Sequence, residues 1–373
     1  VSPSGLAIAP RALALAATFS FCSLLSAQSQ PTWYVDGTCG DDAWSGTSPV
    51  CGAPDGPKRT IQAGLDAAGA GDLVLVADGV YAGEGNEWLY FPWPQWSTLR
   101  SLGGPERCVI DLEGSGGLAF FFVLDEGPEA RVEGFTIRNG AASPAGAIYF
   151  HHASRVAVSD CVFENNVNHY GAGAIYVDND ASPTIQGCWF TGNASLTGGG
   201  AIGFAGSSAS RPTVVNCAFT GNTAPEGAAV YFAGFDDEPA LIQCTIAGNA
   251  SEEGALYLTP FSRPQIVNSI VWGNAGGAIG GDGGIGVSFC DVEGGWPGVG
   301  NIDADPLLSS LSFPRLTRGS PCIDAGDNSA VPPGVTLDLA GSPRFLDGDL
   351  DGVAIVDMGA FESGRPPRRL RAR

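Results

Sequence analysis

An all-β chain, wound as a single-stranded right-handed parallel β-helix with a short N-terminal capping helix, is the fold this sequence predicts, and three observations predict it. A phrase of about 27 residues recurs, closed by Asn139, Asn166, Asn193, Asn222, Asn249 and Asn274 in steps of 27, 27, 29, 27 and 25. Inside each phrase Cys161, Cys188, Cys217, Cys244 or Ser269 precedes Phe163, Phe190, Phe219, Ile246 or Val271 by two positions, which puts each pair on one strand face. Glycine is abundant (55 residues), charge is sparse (15%) and Lys58 is the single lysine, which argues against a helical bundle or coiled coil.

Residues 1–27 read as a targeting segment. Arg11 precedes the sixteen-residue run ALALAATFSFCSLLSA (12–27), which is shorter than a membrane span and ends on small residues, so cleavage is expected after Ala27. An N-terminal anchor helix is the alternative for the same run. Phe21 before Cys22 is too large for a lipoprotein-type cleavage site. No later segment reaches eighteen apolar residues, so the mature chain is expected to be secreted or held at the cell surface, with no transmembrane segment.

Residues 28–71 form the predicted N-terminal cap. Cys39 and Cys51 flank a polar, Gly-rich excursion, and in an exported chain they are the expected disulfide. The stretch GPKRTIQAGLDAAGAGDLVLVADGVYAG (56–83) reads as a helix and then the first strand. Ile61, Leu65 and Ala68 fall on one helical face, and AGAGD ends the helix. Such a helix covers the open end of a core whose strand edges would otherwise invite aggregation.

Residues 72–300 carry the coils. Asp160, Gly187, Asn216, Gln243 and Asn268, just before each Cys position, are mostly types that tolerate the left-handed backbone of a tight bend. Pro183, Pro212, Pro239 and Pro264 mark where the strand before each bend begins. GAIYF (146–150), GAIYV (173–177), GAIGF (200–204), AAVYF (228–232) and GALYL (254–258) supply the next strand. Three short strands per repeat leave no room for a crossover helix, so each coil stacks about 4.8 Å above the last. Stacking explains the repetition: an asparagine can bond the backbone of its neighbours where the ladder is lost, and a small apolar Cys fits a narrow corner. Strand spacing exceeds the roughly 3.8 Å between Cβ atoms that a disulfide prefers, so Cys161, Cys188, Cys217 and Cys244 are expected to be stacked thiols. Cys108, Cys290 and Cys322 have no assigned partner, and no CxxC or Cys/His cluster suggests zinc.

The stretch 56–83 together with STLRSLGGPERCVIDLEGSG (97–116) resembles the opening coils of bacterial right-handed parallel β-helix proteins. That resemblance covers most of residues 32–300 and implies a pectate-lyase-like solenoid. FTGN (190–193 and 219–222) and GGAI (199–202 and 276–279) resemble the FxxN and GGA[ILV] repeats of chlamydial polymorphic outer membrane proteins, surface adhesins with β-helical passenger regions. That family ends in a membrane barrel of alternating strands, which this sequence lacks, so autotransport does not carry over. NIDADPLL (301–308), GSPCIDAGDN (319–328) and DMGAFE (357–362) resemble the choice-of-anchor Q module that follows β-helices in exported bacterial proteins. The resemblance implies that residues 301–363 cap the last coil. The chain departs from that pattern by ending in RPPRRLRAR without an apolar anchor helix, and residues 364–373 are expected to be a basic, disordered tail.

Within that module DGDLDGVAIVD (347–357) places Asp347, Asp349 and Asp351 ahead of Gly352, the alternating oxygens and glycine turn of a calcium loop. Position twelve is Met358, and Asp357 or Glu362 would have to close the shell. A solvated acidic turn is the other reading.

Net charge of -21 argues against nucleic acid and anionic membranes as partners, and weighs against polyanionic sugars. The signatures that polygalacturonases share, HG and RIK among them, are missing. Between 130 and 300 the only cations are Arg131, Arg138, Arg155, Arg211 and Arg263, out of register with one another, so no basic stripe offers the base and counter-charge of a pectate lyase. Asp236 and Asp237 in GFDDEPA are a paired-carboxylate candidate for hydrolysis, against the reading of a solvated loop. His151 and His152 follow a strand and read as turn residues; His169 is the third histidine.

One feature points to binding. With Ile148 and Phe150 facing inward, Tyr149, Tyr176, Tyr231 and Tyr257 face outward as an aromatic stripe interrupted by Gly203, suited to stacking on sugar rings. Simple cover for the sheet surface is the alternative. The sequence therefore predicts an exported β-helix with a structural or binding role toward an extracellular glycan or cell-surface component, with calcium as a candidate cofactor. A β-helix hydrolase or lyase acting on a neutral or weakly charged glycan stands as the second reading.

Overall fold

Left-handed residues turn each coil, one column just before the Cys positions and another, Asn165, Gly192, Gly221, Gly248 and Gly273, just before the closing asparagines. Asp160 (φ 54°), Gly187 (64°), Asn216 (57°), Gln243 (55°) and Asn268 (51°) all adopt the left-handed conformation, as the residue types at that position predict. The computed structural model describes residues 30–94 and 96–364. The expected signal segment 1–27 and residues 365–373 of the basic tail lie outside the described residues.

Between the bends run short strands in three long parallel sheets and one two-stranded sheet, Val167–Asn168 with Ala194–Ser195. The first has ten strands, from Thr32–Val35 to Gly286–Ser288; the second nine, from Gly79–Tyr81 to Asp291–Val292; the third seven, from Phe120–Phe122 to Ile279–Gly281. Pairing is in register from coil to coil, as in Phe163 beside Phe190 beside Phe219 beside Ile246. The strand Thr32–Val35, which precedes the helix, was not anticipated. It pairs in parallel with Leu73–Val76 and opens the first sheet inside the expected cap.

Like residues stack in the interior because the coils superpose. Phe163, Phe190 and Phe219 lie face to face, with 4.8 Å between successive centroids. Helix Ile61–Ala67 closes the N-terminal end. Thr60 caps it by accepting from the Ala63 N–H at 3.3 Å, and Ile61 and Leu65 are fully buried. Gly64 lies where any Cβ would meet Val35 and Val74 at 2.5 and 2.9 Å, so glycine allows the helix to seat this closely.

The asparagine column is a continuous hydrogen-bonded ladder. Asn193 Oδ1 accepts from the backbone N–H and Nδ2 of Asn166, each at 3.0 Å, and Asn222, Asn249 and Asn274 repeat the pattern. Each Nδ2 also donates to a strand carbonyl, as Asn222 does to Phe190 at 3.0 Å. The first step of the repeat needs correction. Gly140, not Asn139, occupies the ladder position, donating its N–H to Asn166 Oδ1, while Asn139 sits one place earlier in the left-handed conformation and bonds Asp111.

Cys39 and Cys51 form the disulfide, with 5.9 Å between Cα atoms. Cys161, Cys188, Cys217 and Cys244 are buried free thiols, each lying against the carbonyl two residues before it. Register extends this column to Cys108 below and Cys290 above, with Phe135 and Ser269 as interruptions. Cys322 is buried against Asp291 at 3.1 Å.

Residues 301–363 meet the last coil, where Ile302 bridges Asp291. They also run back along the flank of the solenoid. Leu337, Asp327 and Ala360 bond Asn216, Asn268 and Thr245, and Phe313 and Phe361 pack on Trp189. Arg344, fully buried, pairs with Glu362 at 3.2 Å to pin this return. The return buries Ala218, Thr245 and Ile270, residues of the second sheet. Among the described residues no helix is long and apolar enough to cross a membrane.

Candidate functional site

The third sheet carries the aromatic column. Ile148, Phe150, Ile175 and Val177 are fully buried, so alternation turns Tyr149 and Tyr176 outward. Register places Tyr149 beside Tyr176, Tyr176 beside Gly203, Gly203 beside Tyr231 and Tyr231 beside Tyr257. The structure thus brings all four predicted tyrosines into one file.

The file also continues beyond the four tyrosines. Phe121 stands beside Tyr149, with 5.5 Å between ring centroids. Leu89 bridges Phe120, so Tyr90 follows in line with Phe121. Trp88 and Trp93 flank Tyr90 and are 48% and 69% exposed, so large rings stand open at this end of the face. WLYFP (88–92) and FFF (120–122) are apolar throughout and lack the GAIYF phrase, so nothing in them marked which ring faces outward.

Beside Tyr149 lies a polar cluster that sequence spacing did not reveal. Tyr149 donates its hydroxyl to Asp178 Oδ2 at 2.8 Å and lies 3.0 Å from His151 Nδ1, which is itself paired with Asp178 Oδ1. Asp178 belongs to the next coil, 27 residues from His151, so only the stacking unites them. Burial and the Asp178 carboxylate raise the Tyr149 pKa, which keeps the phenol protonated. A phenol so held orients its ring and offers no base.

The paired-carboxylate candidate separates. Asp236 is at the surface, in an ion pair with Arg263 at 3.0 Å, whereas Asp237 is fully buried with neither oxygen hydrogen bonded. Burial raises the Asp237 pKa to about 7. The two carboxyls share no cleft, and Asp237 is not the solvated loop residue that the alternative reading implied.

The acidic loop is rearranged relative to expectation. Asp347 and Asp349 converge, and the third member of their group is Asp324, from a segment some 25 residues upstream. Asp324 Oδ1 and Asp347 Oδ1 are enclosed and without a hydrogen-bond partner. Asp351 instead accepts from the Val353 N–H at 2.8 Å. Asp357, fully buried, accepts from the N–H groups of Asp324 and Ser363. Neither Asp351 nor Asp357 joins the group, because local turn and strap contacts take their oxygens.

Residues 121–301 match the model of the right-handed beta helix region. The chain folds as a right-handed parallel β-helix. Among solved structures this β-helix is similar to the pectate lyase Pel9A, with a TM-score of 0.42 at 12% identity over 89% of this chain and 96% of that one. The GH136 lacto-N-biosidase from Eubacterium ramulus aligns with a TM-score of 0.31 at 11% identity, over 69% of this chain and 67% of that one. No curated protein sequence matches it.

Proposed function

We propose that this β-helix is an exported, extracellular or cell-surface protein that holds a neutral glycan on its third sheet, without catalysis of its own. The observation that carries the proposal is the in-register outward file of Tyr90, Phe121, Tyr149, Tyr176, Tyr231 and Tyr257. A stacked coil repeats at roughly the length of one sugar unit, and a phenol ring offers an apolar face with a polar tip. The Cys39–Cys51 disulfide supports an oxidising compartment. The hydrolase reading loses its support at the one pair that suggested it, since Asp236 and Asp237 face different surroundings.

Polysaccharide pull-down with residues 28–373, followed by a reducing-end assay on every retained polymer, tests the reading. Retention without new reducing ends, lost in Tyr149→Ala and Tyr176→Ala, is the expected result. New reducing ends or unsaturated products would replace binding with catalysis.

Calcium at Asp324, Asp347 and Asp349 is part of the same proposal. Two enclosed carboxylate oxygens without partners, in an all-oxygen set, fit a hard cation that takes 6–8 oxygens. The ion would tie the return segment to itself and so act on stability, at a distance from the aromatic file.

A further inference from the structure

The aromatic file breaks at one coil, and a hollow lies beside the break. Gly203 stands in register between Tyr176 and Tyr231. The Tyr176 ring leans over it, so that a Cβ at residue 203 would lie 3.0 Å from Tyr176 Cδ2. Tyr231 rests on Gly198, where a Cβ would lie 2.8 Å from Tyr231 Cδ2. Two glycines thus make room for the two rings. With the exposed ring of Tyr170 and the carboxylate of Glu226, these rings line a hollow of about 410 Å³, within the usual range of small-ligand sites.

The hollow carries negative charge. Glu226 bridges Gly198 on one side and Glu253 on the other, so two carboxylates follow each other in consecutive coils beside the file. Among the described residues neither Glu226 nor Glu253 forms an ion pair with an arginine or histidine, and the single lysine is at residue 58. Burial and the Glu226 charge raise the Tyr231 pKa, which keeps that ring a neutral phenol with an electron-rich face.

We infer that the hollow between Tyr176 and Tyr231, walled by Tyr170 and Glu226, is a binding site for a quaternary ammonium group. Ring faces present negative charge to a cation within about 6 Å of their centroids, and methyl groups on nitrogen bury well against them. A carboxylate at the rim adds attraction that a neutral sugar would not use. The inference goes beyond glycan binding on the file as a whole and does not depend on it.

Isothermal titration of residues 28–373 with choline, and with its neutral isostere 3,3-dimethylbutan-1-ol, tests it. Choline is expected to bind, and the isostere to bind about tenfold more weakly, the scale of one cation–π contact in a desolvated site. Tyr231→Ala and Glu226→Gln are each expected to weaken choline binding about five- to tenfold while leaving the circular dichroism spectrum unchanged. Equal affinity for choline and the isostere, or no binding of choline to the folded chain, would overturn the inference. Polysaccharide retention is read separately, so either result leaves the glycan proposal to its own test.

Discussion

Tyr231 and Tyr257 stack one coil apart with 5.6 Å between ring centroids and 5° between ring planes. Tyr149 and Tyr176, at 6.1 Å and 36°, tilt instead, because Tyr149 is tethered through its hydroxyl to Asp178. The parallel pair offers a flat platform and the tilted pair a stepped one. Tyr257→Ala should lower polysaccharide retention about tenfold, while its cost to folding stays near the 0.5–1.5 kcal/mol of one lost aromatic pair. Pull-down and urea denaturation on the same variant separate the two effects; a stability loss without a change in retention would make the ring mere sheet cover.

Asn222→Ala should destabilise the solenoid by roughly 3 kcal/mol. The substitution leaves the Asn193 N–H and the Phe190 carbonyl buried without the partners they have now. Urea unfolding measures the loss, and a shift below about 1 kcal/mol would mean that water repairs the ladder.

Asp237 makes stability depend on pH. Its folded pKa is raised from 3.8 to about 7, so its favourable contribution is complete below the unfolded value and is lost as pH rises through 7. Ser210 and Ser262 occupy the equivalent place in adjacent coils and donate to carbonyls there. Asp237→Ser should therefore be more stable than the parent above pH 7, on the order of 2–4 kcal/mol, with the gap narrowing toward pH 4. Thermal melts across that range check it, and a gap independent of pH would contradict it.

Calcium in excess should raise the melting temperature of residues 28–373 and chelator should reverse the gain, equivalent to about 2.7 kcal/mol at a hundredfold excess over Kd. Asp347→Asn and Asp324→Asn should abolish the difference. An unchanged melt with calcium would return the loop to a solvated acidic turn.

The seven buried thiols of the described residues should be inert in the folded protein and titrate only on unfolding. Burial pushes Cys244 and Cys290 up to about 12, which leaves almost no thiolate at neutral pH. Rapid reaction of any of them with Ellman's reagent under native conditions would show that the column opens.

The coil repeat was legible because stacking in register imposes the same local environment every 27 or so residues. Bend residues, the asparagine ladder, the thiol column and the outward tyrosines all follow from that periodicity, and one strand's parity sets the facing of them all. The misreading at Asn139 has the same origin: the first step of the repeat is one residue shorter than the later phrases suggest, and spacing alone cannot distinguish a bend from its neighbour.

What the sequence by itself determined is therefore whatever one coil dictates to the next: strand order, which face is core, and the existence of an aromatic file. The tertiary structure decided where non-repeating segments come to rest. It joined Asp324 to Asp347, set His151 on Asp178, buried Asp237 beneath Asp236 and laid the C-terminal return on Asn216 across 121 residues of chain. The physical reason is range. A stacked repeat writes its neighbours' requirements into adjacent sequence, whereas a return segment or a shared hollow is fixed by surfaces that exist only once the coils have closed.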